Sequence, residues 1–144
     1  MKTFSTMMVG LVMLLVAGCA GAVGPSTVAP TVDVTGKWAG TWVGTDLALG
    51  NGAIAMTLKQ TGSEYTGNLL VTGISIGLLT VGGIPSGSTQ GVVSGDKVSV
   101  IGPSNMTGSL TVQGDSMTGT MQLRLLNSHE HGVYAANVAL TRQK

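Results

Sequence analysis

Residues 106–123 read MTGSLTVQGDSMTGTMQL, and they contain one seven-residue pattern twice with a turn between the copies. Each copy places a large residue, a glycine and two later apolar residues at every second position. A period of two is typical of β-strands, because successive side chains point to opposite faces of a sheet. Gly114-Asp115 between the copies has the residue types of a tight turn. The stretch therefore predicts a β-hairpin formed by residues 106–113 and 116–125.

The same pattern occurs a third time at residues 65–71, and similar alternation continues through most of the chain after residue 35. In residues 73–95, glycines interrupt the apolar residues, and two short, irregular strands are predicted there. Strands at a spacing of about ten residues with tight turns favour a closed antiparallel barrel or a sandwich. We expect an all-β fold in residues 36–144, a small antiparallel up-and-down β-barrel of about eight strands. Outside the hairpin, its regular strands are predicted near residues 36–43, 53–61, 65–72, 97–101 and 133–142.

The glycines of the three copies, Gly67, Gly108 and Gly119, share a face with the apolar residues around them. If that face is the core, each glycine leaves a gap that another group can enter. We expect Trp38 and Trp42 to fill some of these gaps. The alternative is that Thr and Gly recur in these strands and bends without a common role.

The N-terminus has a different character from the rest of the chain. Lys2 is followed by an apolar run over residues 7–16, and Ala17-Gly18 precede Cys19, the only cysteine. These are the parts of an export signal, and the run is shorter than the roughly 20 residues that span a membrane. A single cysteine cannot form a disulfide within the chain. An ordinary secretory signal with Cys19 incidental is the alternative.

Residues 1–19 resemble the signal and lipobox of bacterial lipoproteins. The resemblance implies that residues 1–18 are a removed signal peptide and that Cys19 carries a diacylglycerol and an amide-linked acyl chain such as palmitate. Several acyl chains bind a membrane far more firmly than one does. Ala20, where lipoproteins retained at the inner membrane have Asp, implies a cell outer membrane lipoprotein that faces the periplasm. Residues 19–35 are then the lipidated cysteine and a flexible linker to the barrel.

Composition limits the class of function. Without residues 1–18 the chain has six basic and six acidic residues, so it is formally neutral. No basic cluster is available to hold phosphates, and we expect no nucleic acid partner. The sequence also contains neither a nucleophile elbow nor a phosphate-binding loop before a helix. We therefore expect no enzymatic activity, no catalytic residue and no cofactor.

His129-Glu130-His131 is the nearest approach to a metal-binding motif. In an extended strand the two imidazoles would share one face, and a third ligand could complete a zinc site. The neighbouring Asn127-Ser128 and Gly132 are typical of a turn, where exposed polar residues need no metal. We expect a solvated loop without a metal, and His129 and His131 are the residues to test with zinc or copper.

Gly36-Lys37-Trp38 at the first strand resembles the Gly-x-Trp start of lipocalins, avidins and related calycin barrels. The resemblance covers residues 36–142 as a pattern of strands. It implies a basic residue near the last strand that packs over the first tryptophan, and Arg142 or Arg124 could occupy that position.

Such a barrel leaves several functions open. The first is a carrier for a small apolar ligand, and the alternative use of the same side chains is to fill the core. The second is a protein-interaction module, comparable to barrel-shaped protease inhibitors of the periplasm, with residues 30–35 as the inserting segment. A purely structural envelope lipoprotein is the third. The candidate ligand-binding residues are Trp38, Trp42, Tyr65, Met106, Met117 and Met121.

Overall fold

A computed structural model of the protein describes residues 28–45, 49–76, 79–80, 86–127 and 130–144. None of these residues belongs to a helix long and apolar enough to cross a membrane. They form ten β-strands, β1 (Gly36–Gly44), β2 (Asn51–Thr61), β3 (Glu64–Val71), β4 (Ser75–Ile76), β5 (Leu79–Thr80), β6 (Gly87–Ser94), β7 (Lys97–Ile101), β8 (Met106–Gln113), β9 (Ser116–Asn127) and β10 (Glu130–Gln143). The predicted all-β class is confirmed, and β7 and β8 have the predicted bounds.

Eight of these strands form one closed antiparallel barrel in the order β1-β10-β9-β8-β7-β6-β3-β2. Strands that follow one another in the barrel are neighbours in space, and β1 closes the ring by pairing with β10. The closing pairs run from Lys37 opposite Gln143 to Gly44 opposite Ala136. β4 and β5 form a separate two-stranded hairpin between β3 and β6. The predicted up-and-down barrel of about eight strands is therefore confirmed.

The prediction of two short, irregular strands in residues 73–95 missed β6, which is a regular strand of the barrel. β6 pairs with both β3 and β7, whereas β4 and β5 have two residues each. Two of its inward positions are Thr89, whose hydroxyl donates to the Ile101 carbonyl oxygen at 3.1 Å, and Gly91. A Cβ at Gly91 would lie 2.9 Å from the ring of Tyr65. A hydroxyl and a glycine at core positions hide the apolar alternation by which a strand is recognised.

The two ends of the barrel differ in their connections. At one end, β2–β3, β6–β7 and β8–β9 are joined by the turns Gly62-Ser63, Gly95-Asp96 and Gly114-Asp115, of which the last is the turn predicted above. The three glycines have φ values of 63°, 58° and 60°. Positive φ at the first central position is typical of type II′ hairpin turns, in which glycine is favoured. We call this the turn end, and the opposite end, which holds the other connections, the loop end.

The glycines of the repeated pattern face the interior, but tryptophan does not fill the space beside them. A Cβ at Gly119 would lie 2.2 Å from the carbonyl oxygen of Ser109, and one at Gly108 would lie 2.8 Å from Cγ of Met121. The nearest atoms at these sites belong to adjacent strands, so the expectation for Trp38 and Trp42 is wrong. Close approach of the neighbouring backbone requires glycine at Gly67 and Gly119, whereas the Met121 side chain occupies the space beside Gly108.

Residues 28–35 cross the turn end and are fixed there, and we call them the strap. The backbone N–H of Thr31 donates to the Gly95 carbonyl oxygen at 2.9 Å. Val34 is fully buried, and its N–H donates to Oε1 of Gln60 at 2.9 Å. The predicted flexible linker needs correction for these residues, because the apolar Val34 side chain joins the core. Residues 19–27 lie outside the described part of the chain.

Candidate functional site

Trp38 closes the turn end beneath the strap. Its side chain is buried, and its indole N–H donates to the Val34 carbonyl oxygen at 2.8 Å. Cζ of Arg142 lies 4.3 Å from the centroid of the Trp38 ring, which is a cation–π contact. The basic residue implied by the calycin resemblance is thus Arg142. Arg124 lies exposed on the outer wall, towards the loop end.

Arg142 also connects the barrel to the strap through hydrogen bonds. Its guanidinium donates to the carbonyl oxygens of Asp33, at 2.6 Å, and Thr35, and its Nε donates to the Asp115 carboxylate at 3.2 Å. The hydroxyl and backbone N–H of Thr35, with a smaller contribution from Arg142, hold the pKa of the Asp33 carboxyl below its usual value. The polar groups at this end are therefore engaged in holding the strap.

At the loop end the packed core gives way to an apolar hollow, which we call the loop-end hollow. Water-sized molecules can occupy about 30 Å³ of it, and its whole volume, including the part open to solvent, is about 340 Å³. A buried water needs roughly 10–15 Å³ by the first measure, and ligand sites usually span about 300–1,000 Å³. The hollow is therefore small for a ligand site. It is lined by Trp42, Leu49, Ile54, Val71, Ile74, Met106, Met121, Gln122, Leu123, Tyr134, Ala136 and Val138.

The walls of the hollow combine a fixed aromatic side with an adaptable one. The indole N–H of Trp42 donates to the Thr72 carbonyl oxygen at 2.9 Å, which fixes the ring. Met106 and Met121 are buried, and methionine fits irregular spaces because its unbranched side chain has several rotatable bonds. The hollow can therefore adjust its volume on the methionine side more easily than on the Trp42 side.

The described side chains that line the hollow can bind a ligand by apolar contact. Tyr134 is the polar residue that faces it, because the side chain of Gln122 lies exposed between the inward-facing Met121 and Leu123, and no carboxylate, imidazole or thiol belongs to the described lining residues. Apolar surface of this kind binds a ligand by removing hydrocarbon from water.

The hollow includes only part of the predicted ligand site. Trp42, Met106 and Met121 line it, whereas the other three candidates lie towards the turn end. These three are Trp38, Tyr65 and Met117. They fill the core, as the alternative interpretation of the same residues expects.

Tyr65 has a polar partner that explains its position. It is 2% exposed, and its hydroxyl donates to the Ser99 carbonyl oxygen at 2.8 Å. Burial raises the pKa of the Tyr65 hydroxyl to about 12. The phenol thus stays neutral at physiological pH and bridges β3 to β7.

Sequence reasoning missed the contribution of β10 to the hollow. Tyr134 and Ala136 line it, and they pair with Leu123 and Met121 of β9. Alternation along the predicted strand at residues 133–142 places Tyr134 and Ala136 on one face. The antiparallel register of the last hairpin would have brought that face next to Met121.

Two further sequence-based predictions fall on other parts of the chain. His129, the side chain of His131 and Cys19 lie outside the described residues. Within the described ranges, no three His, Cys, Asp or Glu side chains form a group that could hold a metal ion. The solvated His129–His131 loop and the lipidation of Cys19 stay predictions.

No protein-family model, curated protein or solved structure matches the chain. What the protein does has to be inferred from its own residues.

Proposed function

We propose that the protein is a lipid-anchored, non-catalytic module of the cell envelope that binds the apolar end of a small ligand in the loop-end hollow. The anchor is the acylated Cys19, at the periplasmic face of the outer membrane. One observation carries the ligand: a small apolar hollow, of which water-sized molecules can occupy about 30 Å³, lies at one end of a barrel whose other end is packed with side chains.

The size of the hollow limits the class of ligand. The end of an unbranched hydrocarbon chain suits the roughly 30 Å³ that water-sized molecules can reach, whereas a fused ring system does not. Movement of Met106 and Met121 would admit further methylenes, and each buried methylene contributes about 0.8 kcal/mol. The polar head of the ligand would lie outside the hollow. A fatty acid or a similar single-chain lipid fits this description.

The strap favours this proposal over an inhibitor-type module. Insertion of residues 30–35 into a protease would require them to leave the barrel. Val34 is buried, and Gln60 and Arg142 bind the strap by several hydrogen bonds. Its release would expose the apolar side chains of Trp38 and Val34 to water and break these hydrogen bonds, which costs free energy.

The first measurement is mass spectrometry of the acylated protein, purified from its membrane in mild detergent and then denatured. We expect single-chain lipids in the extract in addition to the lipid covalently bound to Cys19. The matched control is Ala136→Val, which adds two methyl groups to the wall of the hollow and should reduce the bound lipid at least severalfold.

A titration with decanoic acid tests the same site in purified protein. Trp42 lines the hollow while Trp38 lies at the turn end, so binding should change the emission of the wild type. Trp42→Phe should remove that change, and Ala136→Val should weaken it. If no lipid co-purifies and the emission does not change, the ligand proposal is contradicted. The purely structural alternative then remains.

A further inference from the structure

The outer surface of the barrel is polarised along its axis. Of the ten charged side chains within the described residues, eight lie in the strap, in the tight turns or in the strand residues near the turn end, and a ninth, Lys144, directly follows β10 at that end. Asp96 and Lys97 at one turn and Asp115 in another are examples. Arg124 of β9 is the tenth, and it lies towards the loop end. Asp46 and the side chain of Glu130 are not among the described ones.

Four of the five most exposed large apolar side chains within the described residues have the opposite distribution, and the fifth, Val28, lies in the strap at the turn end. Val43, Leu70, Ile101 and Val133 have exposed fractions of 52%, 48%, 54% and 57%. Each lies within a few residues of the loop-end terminus of its strand, and the four belong to β1, β3, β7 and β10. Single exposed apolar residues are normal, but these four, set against nine charged side chains at the other end, make the loop end the more apolar end of the barrel. We call these four the apolar rim.

Arg124 lies directly against the apolar rim. It pairs with Val133 across β9 and β10, and with Val133 and Ile101 it lines a groove on the outer wall. Water-sized molecules can occupy about 440 Å³ of this groove. A long basic side chain between apolar ones suits a lipid–water interface, where its stem contacts hydrocarbon and its charge reaches a phosphate.

The chain between Cys19 and the strap is long enough for either end of the barrel to reach the membrane. Residues 19–27 are nine residues, which extend at most about 30 Å. The nine residues of β1, at about 3.3 Å each and tilted by about 40°, cover roughly 20 Å along the barrel axis. The length of residues 19–27 therefore allows either end to face the bilayer. The orientation depends on the surface chemistry of the two ends.

We propose that the apolar rim docks onto a phospholipid bilayer, with Arg124 bound to an anionic headgroup. The proposal rests on the proposed function, because the acylated Cys19 holds the barrel beside the membrane. Tethering raises the local concentration of the rim at the bilayer, so the docking contact itself can be weak. In this orientation the loop-end hollow opens towards acyl chains, and the charged turn end stays in water.

The test uses the full acylated protein in vesicles, with an environment-sensitive fluorophore on a single engineered cysteine. Val133→Cys reports on the rim, and Thr61→Cys is the matched probe at the turn end. Acylation of Cys19 leaves the engineered thiol as the site of labelling, and the mass of the protein checks this first. The vesicles consist of phosphatidylcholine, alone or mixed with phosphatidylglycerol, with or without nitroxide-labelled lipid.

We expect the Val133→Cys probe to shift to the blue and to be quenched by the nitroxide lipid, while the Thr61→Cys probe does neither. Adding Leu70→Asp with Ile101→Asp should abolish the shift while the protein stays on the vesicles through its lipid. Thermal unfolding of that variant checks that the barrel is intact. Arg124→Gln should weaken the shift in vesicles with phosphatidylglycerol and leave it unchanged in pure phosphatidylcholine.

Other outcomes would overturn docking. Two unshifted probes would mean that the barrel stands clear of the bilayer, and two equally shifted probes would mean that it has no preferred end. A Val133→Cys probe that is shifted to the blue but is not quenched by the nitroxide lipid would indicate a protein partner or a second copy on the rim. A protein without acyl chains on Cys19 would refute the anchor itself, which the mass reveals before any vesicle is added.

Discussion

The turn end and the loop end are formed by the same eight strands, yet they are held together in different ways. At the turn end, Trp38 is buried under the strap, and Arg142 contacts both the indole ring and the strap backbone. At the loop end, Trp42 has one hydrogen bond, to the Thr72 carbonyl oxygen, and borders a hollow. One end uses its largest side chains to close the barrel, and the other leaves apolar surface available for binding.

The two ends of the barrel therefore differ in how well they tolerate amino-acid substitutions. Where backbone atoms or the hydrogen bonds of a charged side chain lie beside a residue, a substitution has to move the backbone or break those bonds, at a high cost in free energy. Where a methionine or a hollow occupies the space, the same change requires only a rotation of the side chain. The following predictions compare matched positions on the two sides of this division.

The largest expected effect is in the glycines of the repeated pattern. In Gly119→Ala the new Cβ would meet the Ser109 carbonyl oxygen at 2.2 Å, so the strands have to move apart. In Gly108→Ala it would meet Cγ of Met121 at 2.8 Å, which a rotation can relieve. We expect losses of about 3 kcal/mol and about 1 kcal/mol in the free energy of unfolding. Urea denaturation measures both losses. Equal losses would contradict the distinction between a backbone contact at Gly119 and a side-chain contact at Gly108.

The next effect concerns the two arginines. Arg142→Ala removes the contact with Trp38 and the hydrogen bonds to the strap, and we expect it to cost about 2 kcal/mol. Arg124→Ala, at an exposed site of the loop half, should change the stability by less than about 0.5 kcal/mol. Limited proteolysis should also cut the strap faster in Arg142→Ala. A strap that stays equally protected in both variants would show that Arg142 does not hold it.

A smaller effect should appear at alkaline pH through Tyr65. Its pKa is raised to about 12 in the folded protein, above the usual value of 10.0. The neutral phenol therefore contributes stability that is present in full below the unfolded pKa and is lost as the pH rises through the folded pKa. Between pH 9 and pH 11 the wild type should lose about 1 kcal/mol more than Tyr65→Phe. Parallel pH profiles for the two proteins would refute this assignment.

The smallest effect is expected at the hollow itself. Ala136→Val adds two methyl groups where space is available and should change the stability by less than about 0.5 kcal/mol. Val98→Ile adds one methylene at a fully buried position outside the lining, and it should cost about 1 kcal/mol. Calorimetric melting temperatures compare the two. A larger loss in Ala136→Val would show that the hollow is less accommodating than its volume suggests.

The sequence predicted those strands whose inward positions are apolar. β8 and β9 alternate cleanly around the Gly114-Asp115 turn, and period-two alternation is the direct signature of a strand with one buried face. β6 escaped because Thr89 and Gly91 occupy its core positions, and neither residue type marks a buried face. The strap escaped because it is held by Val34 and the partly buried Val32, together with hydrogen bonds from Gln60 and Arg142 to its backbone, and two valines make no recognisable pattern.

The hollow could be predicted only in part. Alternation shows that Met106 and Met121 face inward, but it cannot show whether the space between them is filled. Whether that space is filled depends on which inward-facing residues of the eight strands lie at the same level along the barrel axis. This level is determined by the register between neighbouring strands. A shift of register would have brought Met117 to the hollow in place of Met121. The residues of the core were therefore predictable, but the position of the hollow was not.

The pairing of β1 with β10 has a consequence for the order of folding. Lys37 and Gln143 are adjacent in the barrel but more than a hundred residues apart in the chain. Closing so long a loop costs about 4 kcal/mol of chain entropy, and non-local pairings of this kind slow folding. Until the last strand is in place, β1 and β9 each keep an unpaired edge, which can add a strand from another chain. The period before ring closure is thus when the protein is most prone to aggregate, and a chain that lost β10 would keep both edges exposed.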